Sequence, residues 1–222
     1  MSDHTRNDQL SDDQLRSDDE ARHIRTQELA SKSQKAYQLL RENMPRDAIK
    51  VFETILEIDP ENNYALVGIG DALRKIRQFR SAVEYYQRCL NIQPRNNYAL
   101  FGIADAYKHL KKWNRAIQAW ELYVNHDEKN VTVLTRIADA YRRVKEFDKS
   151  REMFERVLAI EENNPYAIVG LAHLYYDFRE YTKSLEYWHR AYNLAEDKPD
   201  IRVLTSIGNC HRKLKTFSDG IP

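Results

Sequence analysis

Three aspartates, Asp71, Asp105 and Asp139, recur at a step of 34 residues, and each is followed three residues later by a base, Arg74, Lys108 or Arg142. Tyrosines keep the same step at Tyr64, Tyr98 and, two steps on, Tyr166. Rows of acid, base and aromatic ring at fixed spacing suit the recognition of a partner chain in register, not the making of bonds. Other reactive residue types lack the patterns that catalysis or metal binding would need. Five of the six glycines, Gly68, Gly70, Gly102, Gly170 and Gly208, fall inside expected helices, and Gly220 opens a truncated one, so no loop is suited to cradle phosphate. The seven histidines show no metal-ligand spacing; only His173 and His189 could meet between helices. No serine or cysteine carries a triad signature. No enzymatic activity, metal or cofactor is expected.

The charged rows admit two accounts. In the first, each aspartate pairs with the base three or four residues later on its own helix, worth about 0.2 to 0.5 kcal/mol. In the second, rows one repeat apart hold a peptide backbone and its charged side chains. The tyrosines likewise either pack on the preceding turn or serve as large anchors with few rotors.

What must position these residues is a repeated unit. Asn63 to Leu73 returns almost intact as Asn97 to Tyr107, and more loosely as Val131 to Tyr141 and Pro165 to Tyr175. A period of this length means a stack of identical supersecondary units in which each touches only its neighbours. Each unit reads as two helices. First helices are expected near 63–76, 97–110, 131–144, 165–178 and 200–214, and second helices near 47–58, 80–92, 114–125, 148–160 and 182–194. Pro60 and Pro94 forbid continuation between units, asparagines cap the next start, and Pro165 enters a first helical turn. Small residues recur at Ala36, Gly70, Ala104, Ala138, Ala172 and Gly208, and at Ala48, Ala82, Ala116, Ser150, Ser184 and Gly220. Aromatics recur at Phe79, Trp113, Phe147, Tyr181 and Phe217, and at Phe52, Tyr86, Trp120, Phe154 and Trp188. Helices approach closely only where side chains are small, and the aromatic opposite fills the remaining gap.

The 222 residues carry a formal charge of +1, which argues against a generic polyanion binder. Residues 1–28 hold eight acids and four bases, a net of −4, leaving +5 for the remainder. Residues 1–20 are polar enough to predict a disordered acidic tail. Lys32 and Lys35 stand where later units have Leu66 and Ile69, as a capping unit requires. Cys89 and Cys210 read as free thiols, and no apolar run or leader pattern is evident, so a cytoplasmic protein without a membrane span is expected.

Small and aromatic residues alternating at a 34-residue period from about Ser31 to Pro222 resemble the tetratricopeptide repeat family. The usual tryptophan near the start of the first helix is replaced by Leu66, Leu100, Leu134, Ile168 and Leu204. The resemblance implies an all-α, right-handed superhelical solenoid of antiparallel helix pairs, about five full repeats and a partial sixth. Its expected parts are a disordered tail 1–20, a capping repeat 21–62, four central repeats (63–96, 97–130, 131–164 and 165–198) and a truncated repeat 199–222. It also implies a non-catalytic scaffold binding a peptide or partner protein in a concave groove lined by first helices. The residues expected there are Tyr64, Val67, Asp71 and Arg74; Tyr98, Phe101, Asp105 and Lys108; Thr132, Thr135, Arg136, Asp139, Arg142 and Arg143; and Tyr166, Val169, His173 and Tyr176. The clamp by which some members hold a chaperone carboxy-terminus would fall on Val67 and Asp71, Gly102, and Thr132 and Arg136, of which only Arg136 fits.

Two alternatives belong to other classes. One is a targeting segment of a larger enzyme, as similar arrays serve in O-linked N-acetylglucosamine transferases. The other is binding of single-stranded nucleic acid, disfavoured by the acidic row and the near-zero charge. The chain also ends where a second helix should begin. Leu204, Ile207 and Leu214 are therefore expected to lack cover, leaving an edge for self-association or for a missing segment.

Overall fold

The computed structural model describes residues 4–195 and 200–215, with side chains from residue 22 onward. The connection at 196–199 and the second helix expected after Phe217 lie outside the described residues. These form eleven α-helices: α1 (His4–Arg41), α2 (Pro45–Ile58), α3 (Asn63–Lys75), α4 (Phe79–Ile92), α5 (Asn97–His109), α6 (Trp113–Val124), α7 (Val131–Arg143), α8 (Phe147–Ile160), α9 (Pro165–Asp177), α10 (Tyr181–Asn193) and α11 (Ile201–Leu214). The expected helix pairs are present, with ends shifted by a residue or two. Helix α1 reaches back to His4, where composition predicts a disordered tail to residue 20. No proline or glycine precedes Pro45 to end it.

The first helices α3, α7 and α9 start on an asparagine cap, whereas the second helices α2, α4, α6, α8 and α10 have no side-chain cap. Asn62, Asn130 and Asn164 cap α3, α7 and α9 by accepting from the amides of Ala65, Val133 and Ala167 at 3.0 to 3.1 Å. Each cap is steadied by an acid three residues earlier, Asp59, Asp127 or Glu161, which accepts from the asparagine amide. Asn130→Ala should cost about 1 kcal/mol in a urea titration, the usual worth of such a cap. Within each pair, the first helix ends on a left-handed residue, Asn43, Arg77, Lys111, Lys145 or Arg179. The next amide then bonds back to the carbonyl five residues earlier, as Gln78 does to Leu73 and Glu146 to Tyr141.

The chain divides into two compact units, Met1–Gly102 and Ile103–Pro222, the division falling within α5. In the first unit α2 packs on both α1 and α3, α3 packs on α4, and α1 also touches α3. Its core holds Phe52, Ile55, Leu66, Ile69 and Tyr86, all sealed from solvent. Of the expected small-residue positions, Gly70 faces an aromatic ring, since a Cβ there would stand 2.6 Å from Tyr86, and a tighter hole outside those rows lies at Gly68, where a Cβ would stand 2.2 Å from the Phe52 ring.

In the second unit successive helices from α6 to α11 pack in order, and α7 also touches α9. Trp120, Leu134, Ile137, Phe154, Ile168 and Leu171 are fully buried. Where the small residue is serine, its hydroxyl closes the helix contact: Ser150 and Ser184 donate to the carbonyls of Ala138 and Ala172 at 2.8 Å. Ile207, expected to lack cover, is buried in a cluster with Ala172, Trp188, Val203 and Cys210. Leu204 and Leu214 are half-buried. The reason is that α11 lays its apolar face on α10.

Candidate functional site

In the first unit the contact between α1 and α3 sets Tyr37 beside the start of α3. There Tyr37 donates its hydroxyl to the Tyr64 carbonyl at 3.0 Å. Tyr37, Tyr64 and Tyr98 line a cavity of about 740 Å³ with Val67 and Asp71, bordered by the cap turns at Asp59 to Asn63 and Gln93 to Asn96. Tyr64 is 72% exposed and Tyr98 80%, so both rings offer most of their surface at the mouth of the cavity. Val67, expected to project, is nearly sealed and forms part of the cavity wall. Asp71 accepts from the Tyr86 hydroxyl at 2.7 Å and from Arg74 at 3.3 Å. Burial nevertheless dominates and pushes its carboxyl above the ordinary aspartate value. Burial likewise raises the Tyr37 phenol, with Asp71 adding to it, so this wall stays neutral and aromatic. Phe101 is half-buried on α5.

The second unit treats its charges differently. Asp105 is only 8% exposed and takes its ion pair from Arg136, 31 residues away, where helical spacing predicts Lys108. Arg136 occupies the step at which the neighbouring repeats carry Gly68, Gly102 and Gly170, so a long side chain lies where others have none. The one residue that fits a carboxylate clamp is therefore engaged by a carboxylate of its own chain. Arg142 bridges Asp139 at 2.9 Å and Asp177 at 2.7 Å, and Arg143 stands 3.9 Å from Asp139. Pairing within one helix thus accounts for Asp71 with Arg74 and for Asp139 with Arg142, but not for Asp105.

Lys108, Trp113, Thr135, Arg136 and Asp139 surround a smaller cavity of about 160 Å³. Thr135 spends its hydroxyl on the Val131 carbonyl, Thr132 is exposed, and Arg143 lies over the Trp113 ring. Tyr166 is 74% exposed, whereas Val169 and Tyr176 pack against the cluster around Trp188. His173 sets its ring edge-on to Trp188 with centroids 4.8 Å apart. Burial depresses its pKa below an ordinary histidine's 6.5, and the Arg142 cation adds to the effect. Because the unfolded chain then takes the proton first, His173 contributes nothing above that value and lowers stability as pH falls through it. An NMR titration should place its midpoint below 6.5, and Arg142→Gln should raise it by removing the cation beside Asp139 and Asp177.

Tyr37 is the site residue that the sequence reading misses. It stands at the same step as Asp71, Asp105 and Asp139, so the first member of the acidic row is a ring, and the row itself held the signal. Among the described residues no three His, Cys, Asp or Glu side chains gather as a metal would require. No described helix is long and apolar enough to cross a membrane.

Family models described as tetratricopeptide repeat match residues 34–90, 67–127 and 131–164. No curated protein matches significantly. Solved structures do. A tetratricopeptide repeat protein from Parabacteroides merdae aligns with a TM-score of 0.77 at 15% identity, covering 87% of this chain and 76% of its own. Pseudomonas aeruginosa pilF aligns at 0.69 and 19%, covering 88% and 90%. YrrB, described as having an unusual peptide-binding site, aligns at 0.70 and 16%, covering 77% and 87%. Identities this low show the fold alone, an all-α solenoid of helix pairs. With pairs at a 34-residue step, capped and turned alike, and with family models matching more than half its length, the chain is a member of the tetratricopeptide repeat family.

Proposed function

We propose that the chain is a non-catalytic scaffold that binds a peptide or partner protein on the face of its first helices, with the cavity of the first unit as principal anchor. The observation that carries this reading is Tyr64 and Tyr98, two exposed rings at helix starts over a concave, partly apolar surface. Tyrosine rings give large contact area and have few rotors to order on binding. The fold supports it, since tetratricopeptide repeats are protein-interaction modules, and a similar structure is described as peptide-binding. The ion-paired acids of the second unit are engaged in structure, which supports a scaffold over a catalyst. A reducing, cytoplasmic setting fits the two buried free thiols, Cys89 pushed up to about 11 by burial and hence unreactive.

The test is capture from a lysate of the source organism, comparing the intact chain with Tyr64→Ala/Tyr98→Ala. Both rings are mostly exposed, so circular dichroism should be unchanged while capture falls about tenfold or more. Equal capture by the two proteins would move binding off this cavity.

A further inference from the structure

The chemistry around the first-unit cavity is one-sided. Three carboxylates line it, Asp59, Glu61 and Asp71, and among the described residues no lysine or arginine does. The bases that act on Asp71 are already engaged: Arg74 donates to Asp71 itself, and Lys75 donates to the Leu40 carbonyl. Tyr37, Tyr64 and Tyr98 line its walls, and the face of an aromatic ring attracts a cation. Asp71 sits in surroundings that disfavour its own ionised form, so a cation entering the cavity would relieve that cost and strengthen the attraction. An anionic or purely apolar side chain would gain none of this. The chain's own first 28 residues, with a net charge of −4, are the wrong sign to lie there.

We propose that this cavity receives a lysine or arginine side chain of an extended partner peptide, held by the tyrosine rings with Asp71 beneath and Glu61 at the rim. The proposal rests on the scaffold reading above and adds the chemistry of the residue that the scaffold selects. It contrasts with recognition of a terminal carboxylate, for which no base lines the cavity among the described residues. Binding should weaken as salt rises, but shallowly, because one cation and not a row of phosphates is involved.

The test uses the full chain and fluorescein-labelled twelve-residue peptide libraries in three matched sets. These carry lysine or arginine, the uncharged isostere norleucine, or glutamate at a fixed central position, and binding is read by fluorescence anisotropy. The basic set should bind about tenfold tighter than the norleucine set, the size expected for a partly desolvated cation over aromatic rings. Glu61→Lys, at an exposed turn, should remove that preference while leaving norleucine binding in place. If basic and norleucine sets bind alike and both are lost in Tyr64→Ala/Tyr98→Ala, the cavity takes peptides but does not select charge, and this inference is wrong. Preference for glutamate would overturn it also. If no set binds, the cavity is not a peptide site and the scaffold reading fails here with it. Light scattering that showed a dimer dissolved by Tyr64→Ala/Tyr98→Ala would make a second copy the occupant and overturn the proposal.

Discussion

Gly68→Leu should destabilise the first unit by about 3 kcal/mol, among the largest effects of a single substitution in this chain. A Cβ at Gly68 would stand 2.2 Å from Cζ of Phe52, a ring with no exposed surface to retreat toward. Leucine is the better helix former by almost 1 kcal/mol, but that gain is smaller than the cost of displacing a packed ring. Phe52 also meets Tyr37 edge-on at 5.1 Å, and Tyr37 walls the cavity, so the damage should reach binding as well as stability. Urea unfolding followed by circular dichroism would measure the first effect and peptide affinity the second. Gly208→Ala is the control. Among the described residues nothing lies within 4 Å of its Cβ position, and the substitution should stabilise α11 by up to about 1 kcal/mol.

Asp105→Lys should cost the second unit about 3 kcal/mol. The aspartate side chain is 11% exposed and its partner Arg136 29%, so the change would press two cations together in a poorly hydrated place. Removing one member of such a pair costs 3 kcal/mol or more in general, and the partial exposure of Arg136 keeps the figure near the lower end. Arg136→Glu in the same chain should recover a substantial part of the loss, which a merely exposed aspartate would not show. From sequence alone Asp105 belongs to an open binding row, where this charge reversal would spare the fold and weaken capture. Its burial makes that substitution a test of stability and leaves Tyr64 and Tyr98 as the cleaner probes of binding.

The helix pairs were legible because periodic packing writes itself into periodic residue types. Phe52, Tyr86, Trp120, Phe154 and Trp188 recur every 34 positions, and Phe52, Tyr86 and Phe154 each face a glycine of a first helix, the mark of stacked identical units. The caps at Asn62, Asn130 and Asn164 were legible for the same local reason. The turns inside each pair were less so, since left-handed backbone normally announces itself by glycine, and here Arg77, Lys111, Lys145 and Arg179 adopt it. The Asp105 to Arg136 pair was hidden because helical spacing nominates a partner three or four residues away, while this one comes from a neighbouring repeat. Only the break in the row Gly68, Gly102, Gly170 hinted at it. The cavity was half visible: Tyr64, Val67, Asp71 and Tyr98 were on the expected face, but the wall supplied by Tyr37 depends on how α1 meets α3.

The most direct test of the central claim is amide hydrogen exchange on the full chain, with and without the partner it captures. Binding through the first-helix face should slow exchange at the starts of α3 and α5, around Tyr64 to Val67 and Tyr98 to Phe101, and leave α4 unchanged. Protection confined to the second helices α2 and α4, with the Tyr64 and Tyr98 segments exchanging as before, would contradict it.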